Sequence, residues 1–90
     1  MENNRAVVAV IGKDAVGILG KVATGCSEAG ANVIEVTQSV LDGFFCMIMI
    51  VDMSSAKGTV EFLKQTIEEK VPEMKVHVMH ENIFNSMHRI

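Results

Sequence analysis

The sequence predicts an α+β domain, a four-stranded antiparallel sheet with two helices on one face and a short C-terminal helix. Three observations predict it. Apolar runs with strand character and apolar runs with a 3.6-residue period succeed one another as strand, helix, strand, strand, helix, strand. Asp42-Gly43 joins the two middle strands with a strong two-residue hairpin signal. Ninety residues, 49% of them hydrophobic, supply one core and one domain spanning 1–90.

Residues 5 to 11 form a short, continuous run rich in Val and Ile, which reads as a buried strand. Gly12-Lys13-Asp14-Ala15-Val16-Gly17 follows as a glycine-bounded loop. From Ile18 the apolar positions are Ile18, Leu19, Val22, Ala23, Cys26 and Ala29, a helical stripe that Gly30 stops in a left-handed turn. Gly20 and Gly25 lie inside this helix and cost it about 1 kcal/mol each against Ala, so close backbone approach to the sheet or a partner is expected there. Asn32 opens the second strand, with Ile34, Val36, Gln38 and Val40 on one face and Val33, Glu35, Thr37, Ser39 and Leu41 on the other.

After the hairpin, Phe44 to Met53 is apolar at every position except Asp52. A second helix fits residues 56 to 70, with Val60, Leu63 and Ile67 buried and Ser54 or Ser55 as its cap. Val71-Pro72 ends it, because the residue before proline is pushed out of helical geometry. Met74, Val76 and Val78 alternate with Lys75, His77 and Met79 as the last strand. Ile83, Phe84, Met87 and Ile90 then recur at helical spacing. This is the split β-α-β order of ferredoxin-like folds. Runs 6–11 and 44–51 do not alternate, so their second face needs a cover: the terminal helix, another subunit, or both.

Composition excludes several classes. Eight Lys and Arg stand against eleven Asp and Glu, a formal net charge of -3, with no basic stripe for a nucleic-acid backbone. Four Phe and no Trp or Tyr leave little for stacking bases. No stretch reaches the length of a membrane helix, and six apolar residues before Gly12 are too few for a signal peptide. Two thiols, Cys26 and Cys46, without Cys-x-x-Cys spacing fit a reducing cytoplasm better than a disulfide framework or a metal chaperone. His77 and His80 point to opposite faces of a strand and cannot chelate together, and His88 reads as a surface residue. Met47, Met49 and Met53 read as core fillers, and Lys57, Glu61, Lys64 and Glu68 as a solvated helix face. No metal or cofactor is asked for, and no catalytic grouping stands out.

The loop of residues 12 to 18 carries the functional signal. A helix start presents unpaired backbone N–H groups and a positive dipole end, which suit a carboxylate. The loop is too short for a phosphate cradle. Gly17 admits two readings, ligand approach or a plain turn. Asp14 reads first as an N-cap and second as a contact for a ligand ammonium. Gln38, on an otherwise apolar face, is expected to be buried and to need a hydrogen-bonding partner.

Asp14, Gly17 and Ile18 after the first strand, then Gly30 and Asn32 opening the second, followed by Gln38 and Asp42-Gly43-Phe44-Phe45, resemble the ACT domain. With the ending Ile83 to Ile90, the whole chain resembles small stand-alone ACT proteins. The ACT domains of the glycine-cleavage regulator and of formyltetrahydrofolate deformylase are similar too. The resemblance implies a non-catalytic regulatory module, a homodimer joined edge to edge or face to face, and an amino acid or related metabolite bound where the loop of one subunit meets the second strand of its neighbour. Carried over, Asp14, Ala15, Val16, Gly17, Ile18 and Leu19 supply the loop and its backbone N–H groups. Asn32 supplies its side-chain amide, and Val33 and Ile34 supply backbone and wall. The loop has Ala15-Val16 where many amino-acid-binding members have a proline before the glycine. With no fused domain, regulation is expected to act through a separate protein. Two rival readings are a protein-interaction module with a vestigial ligand site and a small acyl-phosphate hydrolase using Lys13.

Overall fold

A computed structural model describes residues 4–13, 16–56 and 58–82. The elements are β1 (Arg5–Gly12), α1 (Ile18–Glu28), β2 (Asn32–Leu41), β3 (Phe44–Asp52), α2 (Val60–Lys70) and β4 (Lys75–His80). The strands form one antiparallel sheet in the order β2-β3-β1-β4. This is the predicted ferredoxin-like βαββαβ architecture. The expected C-terminal helix over residues 83–90 lies outside the described residues.

One face of the sheet carries the core. Ala6, Val8 and Val10 of β1 meet Phe45, Met47, Met49 and Val51 of β3, and the helices close over them with Ile18, Val22 and Cys26 of α1 and Leu63 and Ile67 of α2. The methionines at 47, 49 and 53 are core fillers, as their unbranched side chains suit. The α1 stripe is narrower than the sequence suggests. Ile18, Val22, Cys26 and Ala29 are buried, Ala23 is half-buried, and Leu19 is 39% exposed, because a single i, i+4 row suffices to cover the sheet.

Turns fall where the chemistry places them. Asp42 and Gly43 both have positive φ, 52° and 82°, as a tight hairpin with the right twist requires. Gly30, at φ 82°, follows the α1 cap residue Ala29 as the left-handed stop.

Four local expectations are corrected. The N-cap position of α1 is Gly17 rather than Asp14, whose side chain lies outside the described residues, and among the described residues no side chain caps this helix. The second helix begins at Val60 rather than 56, with Thr59 as its cap rather than Ser54 or Ser55. The Thr59 Oγ1 accepts the Phe62 N–H at 3.3 Å. A bulge between Val33 and Glu35 sets Val33 opposite Val51, on the core side, so the expected grouping of faces fails at this one residue. Gln38 is exposed, because β2 is an edge strand whose core-side residues reach past the helices, and it imposes no buried polar cost.

Candidate functional site

The loop after β1 delivers the chain to α1 through Gly17, which sits at φ 71° and ψ 4°. Side chains with a Cβ resist that left-handed conformation, so the turn itself demands glycine. The Gly17 carbonyl accepts the Lys21 N–H at 3.1 Å and starts the helix. No acidic residue stands in the first turn, and among the described residues no side chain caps the helix, so its start presents the positive end of the helix dipole. A Cβ placed on Gly17 would meet nothing within 4 Å, so the space above it is open. Val16 is exposed beside it. Ile18 is buried, so its side chain belongs to the core and only its backbone faces the loop. Leu19, half-exposed, offers an apolar wall. Asp14 and Ala15 lie outside the described residues.

Asn32, Val33 and Ile34 open β2 and are all exposed. They do not meet the loop within the chain. Gly12 stands opposite Phe45 and Asn32 opposite Asp52, seven residues apart on the same strand β3. At 3.3 Å per residue these ends of the sheet are separated by about 23 Å. The helix tells the same story, since α1 runs its whole length, roughly 16 Å, between the loop and the turn into β2. The described loop residues and the start of β2 therefore sit toward opposite ends of the sheet.

Other candidates resolve more simply. His77 is exposed on β4, and the His80 Nδ1 accepts the Asn82 N–H at 3.2 Å in the turn after β4. No group of three or more metal-ligating side chains occurs among the described residues, and His88 and the Lys57 side chain lie outside them. Cys26 is buried in the core, which pushes its thiol up to about 11, while Cys46 is half-buried on the other sheet face. Lys64 and Glu68 form an exposed i, i+4 pair at 3.5 Å.

Sequence reasoning missed two features. Lys64, Glu68, Pro72, Glu73, Met74, Lys75, Val76 and His77 line an open groove of about 390 Å³ where α2 meets the β4 edge. Its charges are of both signs, and only the helix-breaking Pro72 hinted at it. Arg5 also grips Glu81 across 76 residues, donating from Nε at 3.2 Å and also from Nη2 to Oε2. Arg5 thereby holds the Glu81 carboxyl below the usual carboxylate range.

The ACT domain family model matches residues 4–81. The chain belongs to the ACT domain family. Among similar sequences, a UPF0237 protein of Methanocaldococcus jannaschii is 42% identical over 97% of this chain and 99% of its own length. A UPF0237 protein of Clostridium perfringens is 40% identical over 94% and 98%. Among solved structures, an ACT domain protein from Streptococcus pneumoniae superposes with a TM-score of 0.77 at 29% identity, covering 92% of this chain and 96% of that one. A formyltetrahydrofolate deformylase from Pseudomonas syringae gives 0.76 at 14% identity, with 89% of this chain on 28% of that one, and shares the ACT fold alone. ACT domains are generally regulatory, amino-acid-binding modules. No helix among the described residues is long and apolar enough to cross a membrane.

Proposed function

We propose that this ACT domain is a non-catalytic, cytoplasmic regulatory module that binds a small amino acid or related metabolite between two copies of itself and signals to a separate partner protein. The observation that carries the reading is that the loop after Gly12 and Asn32 lie at opposite ends of the sheet, the register positions of Gly12 and Asn32 being about 23 Å apart along β3. Two copies joined antiparallel along their β2 edges place opposite ends side by side. The loop of one protomer then faces Asn32 of its partner, and the site is completed twice.

In that arrangement the ligand carboxylate sits on the first-turn N–H groups of α1, including those of Ile18 and Leu19. The partner's Asn32 binds the polar part of the ligand through its side-chain amide. Asp14 and Ala15 shape the loop, Val16 and Leu19 wall it, and Val33 and Ile34 close the far side. Ligand that binds only the assembled dimer shifts the population toward that dimer, or toward one geometry of it, and this is the regulatory signal.

A second reading, an interaction module with a vestigial site, draws on the apolar hairpin end, where Leu41 is 76% and Phe44 47% exposed. A thermal-shift screen against the twenty amino acids separates the two. A ligand at a hundred times its Kd stabilises the native state by about 2.7 kcal/mol. The regulatory reading expects a shift with at least one amino acid. Silence from a folded dimer rejects it in favour of the interaction module.

A further inference from the structure

The sheet order β2-β3-β1-β4 leaves two outer edges, and they differ in kind. β4 is six residues long with Lys75 and His77 exposed, a short, polar edge of the kind that resists strand pairing. β2 is ten residues long, mostly exposed, and its sole charged residue is Glu35. Among the described residues no strand pairs with its outer edge. Two irregularities bound the usable length of that edge. The bulge between Val33 and Glu35 interrupts it on one side, and the Asp42-Gly43 turn ends it on the other. Seven regular residues remain, Glu35 to Leu41, and Gln38 is the middle one.

We propose that two copies pair their β2 strands antiparallel with the two-fold axis at Gln38, so that each Gln38 faces its own counterpart. The pairing rests on the two-copy reading above and fixes its register. Of the registers that keep the side-chain faces matched, this one alone uses all seven regular residues. Val36 then meets the partner's Val40, Thr37 the partner's Ser39 and Glu35 the partner's Leu41, each pair formed twice. Val36, Gln38 and Val40 lie on the helix side, opposite Met49, Met47 and Phe45. Val40 is 69% exposed in the single protomer, and the partner's Val36 covers it. The hydroxyls of Thr37 and Ser39 meet on the other face, a favourable cross-strand pair. The lone charge, Glu35, never meets its own copy.

Gln38 has a role in this seam that a second valine would not fill. Its amide both donates and accepts, so two of them across the axis satisfy each other. Shifting the register by one step sets Gln38 against Val36 or Val40 and leaves the amide unpaired in the seam. A single polar residue sets register in apolar helical seams by the same means. The register also serves the ligand site. Gly12, Phe45 and Val40 share one row, which continues onto the partner's Val36. The chain runs on from Gly12 past that row, on the side where the partner's β2 begins.

The test is sedimentation velocity on the full chain without any amino acid, comparing the parent with Gln38→Lys, Gln38→Glu and an equimolar mixture of the two. Gln38 is exposed in the protomer, so neither substitution burdens the fold, and Gln65→Lys on the exposed side of α2 controls for charge alone. The parent and the control are expected to be dimers. Each Gln38 variant faces its own like charge and should dimerise at least about tenfold more weakly, while the mixture should recover the parent's affinity as mixed dimers. A parent that stays monomeric would overturn both this pairing and the two-copy reading. A dimer indifferent to both variants, a control that dissociates equally, or a mixture that recovers nothing would overturn the Gln38 register alone and leave ligand binding to the thermal-shift screen.

Discussion

Gly25 of α1 packs directly against Ile67 of α2. A Cβ built on Gly25 would lie 3.3 Å from the Ile67 Cγ1 and 3.4 Å from its Cα, and both residues are fully enclosed in the core. The missing side chain sets how closely the two helices approach, and so how tightly they close over β1 and β3. Gly20, in the same helix, faces open space.

The two glycines should therefore respond in opposite directions. Gly20→Ala gains helix propensity without a clash and is expected to stabilise the protein by about 0.5–1 kcal/mol. Gly25→Val drives methyl groups into Ile67 and should destabilise it by about 1–3 kcal/mol. Denaturant midpoints of the two variants check the pair.

Helix α2 depends on a single hydroxyl at its start. Thr59→Ala removes the acceptor for the Phe62 N–H and is expected to cost about 1 kcal/mol, while Ser55→Ala leaves stability within about 0.5 kcal/mol. Thermal melts of both variants decide between Thr59 and the serines.

Acid should loosen the Arg5–Glu81 clamp. The Glu81 carboxyl is depressed by its hydrogen bond from Arg5, so its contribution is fully present above the unfolded value, about 4.3, and is lost as pH falls through the lower folded value. Asp52 is likewise held low, by Ser54, and its contribution fades over the same acid range. Glu81→Gln should be less stable than the parent chain at pH 7 and converge with it at acid pH. Chemical denaturation at a series of pH values measures the convergence.

Much of the fold was legible because its signals are local. Val-rich runs, the 3.6-residue stripe from Ile18 to Ala29, Asp42-Gly43 and Val71-Pro72 each act through their own backbone geometry. What escaped the sequence depends on tertiary placement. Gln38 appeared buried because its neighbours are apolar, yet an edge strand leaves it in water. The bulge after Val33 has no periodic signature. Thr59, Ser54 and Ser55 are all competent caps, and only the helix start distinguishes them. Asp14 looked like a cap, but the positive φ of Gly17 gave the glycine that position. The candidate site residues rest on motif order along the chain. Their separation across the sheet was not legible there, because it follows from the strand register alone.

The most direct measurement mixes two defective chains. Gly17→Val spoils the loop, and Asn32→Ala removes the amide from the start of β2; circular dichroism first verifies that each variant folds. Calorimetric titration then uses whichever amino acid gives the largest thermal shift on the parent chain. Each variant alone should bind none of it, while the equilibrated mixture should recover about a quarter of the parent's sites, one good site in each mixed dimer. No recovery from mixed dimers, with both variants folded and the parent chain binding, would contradict a site built from two protomers.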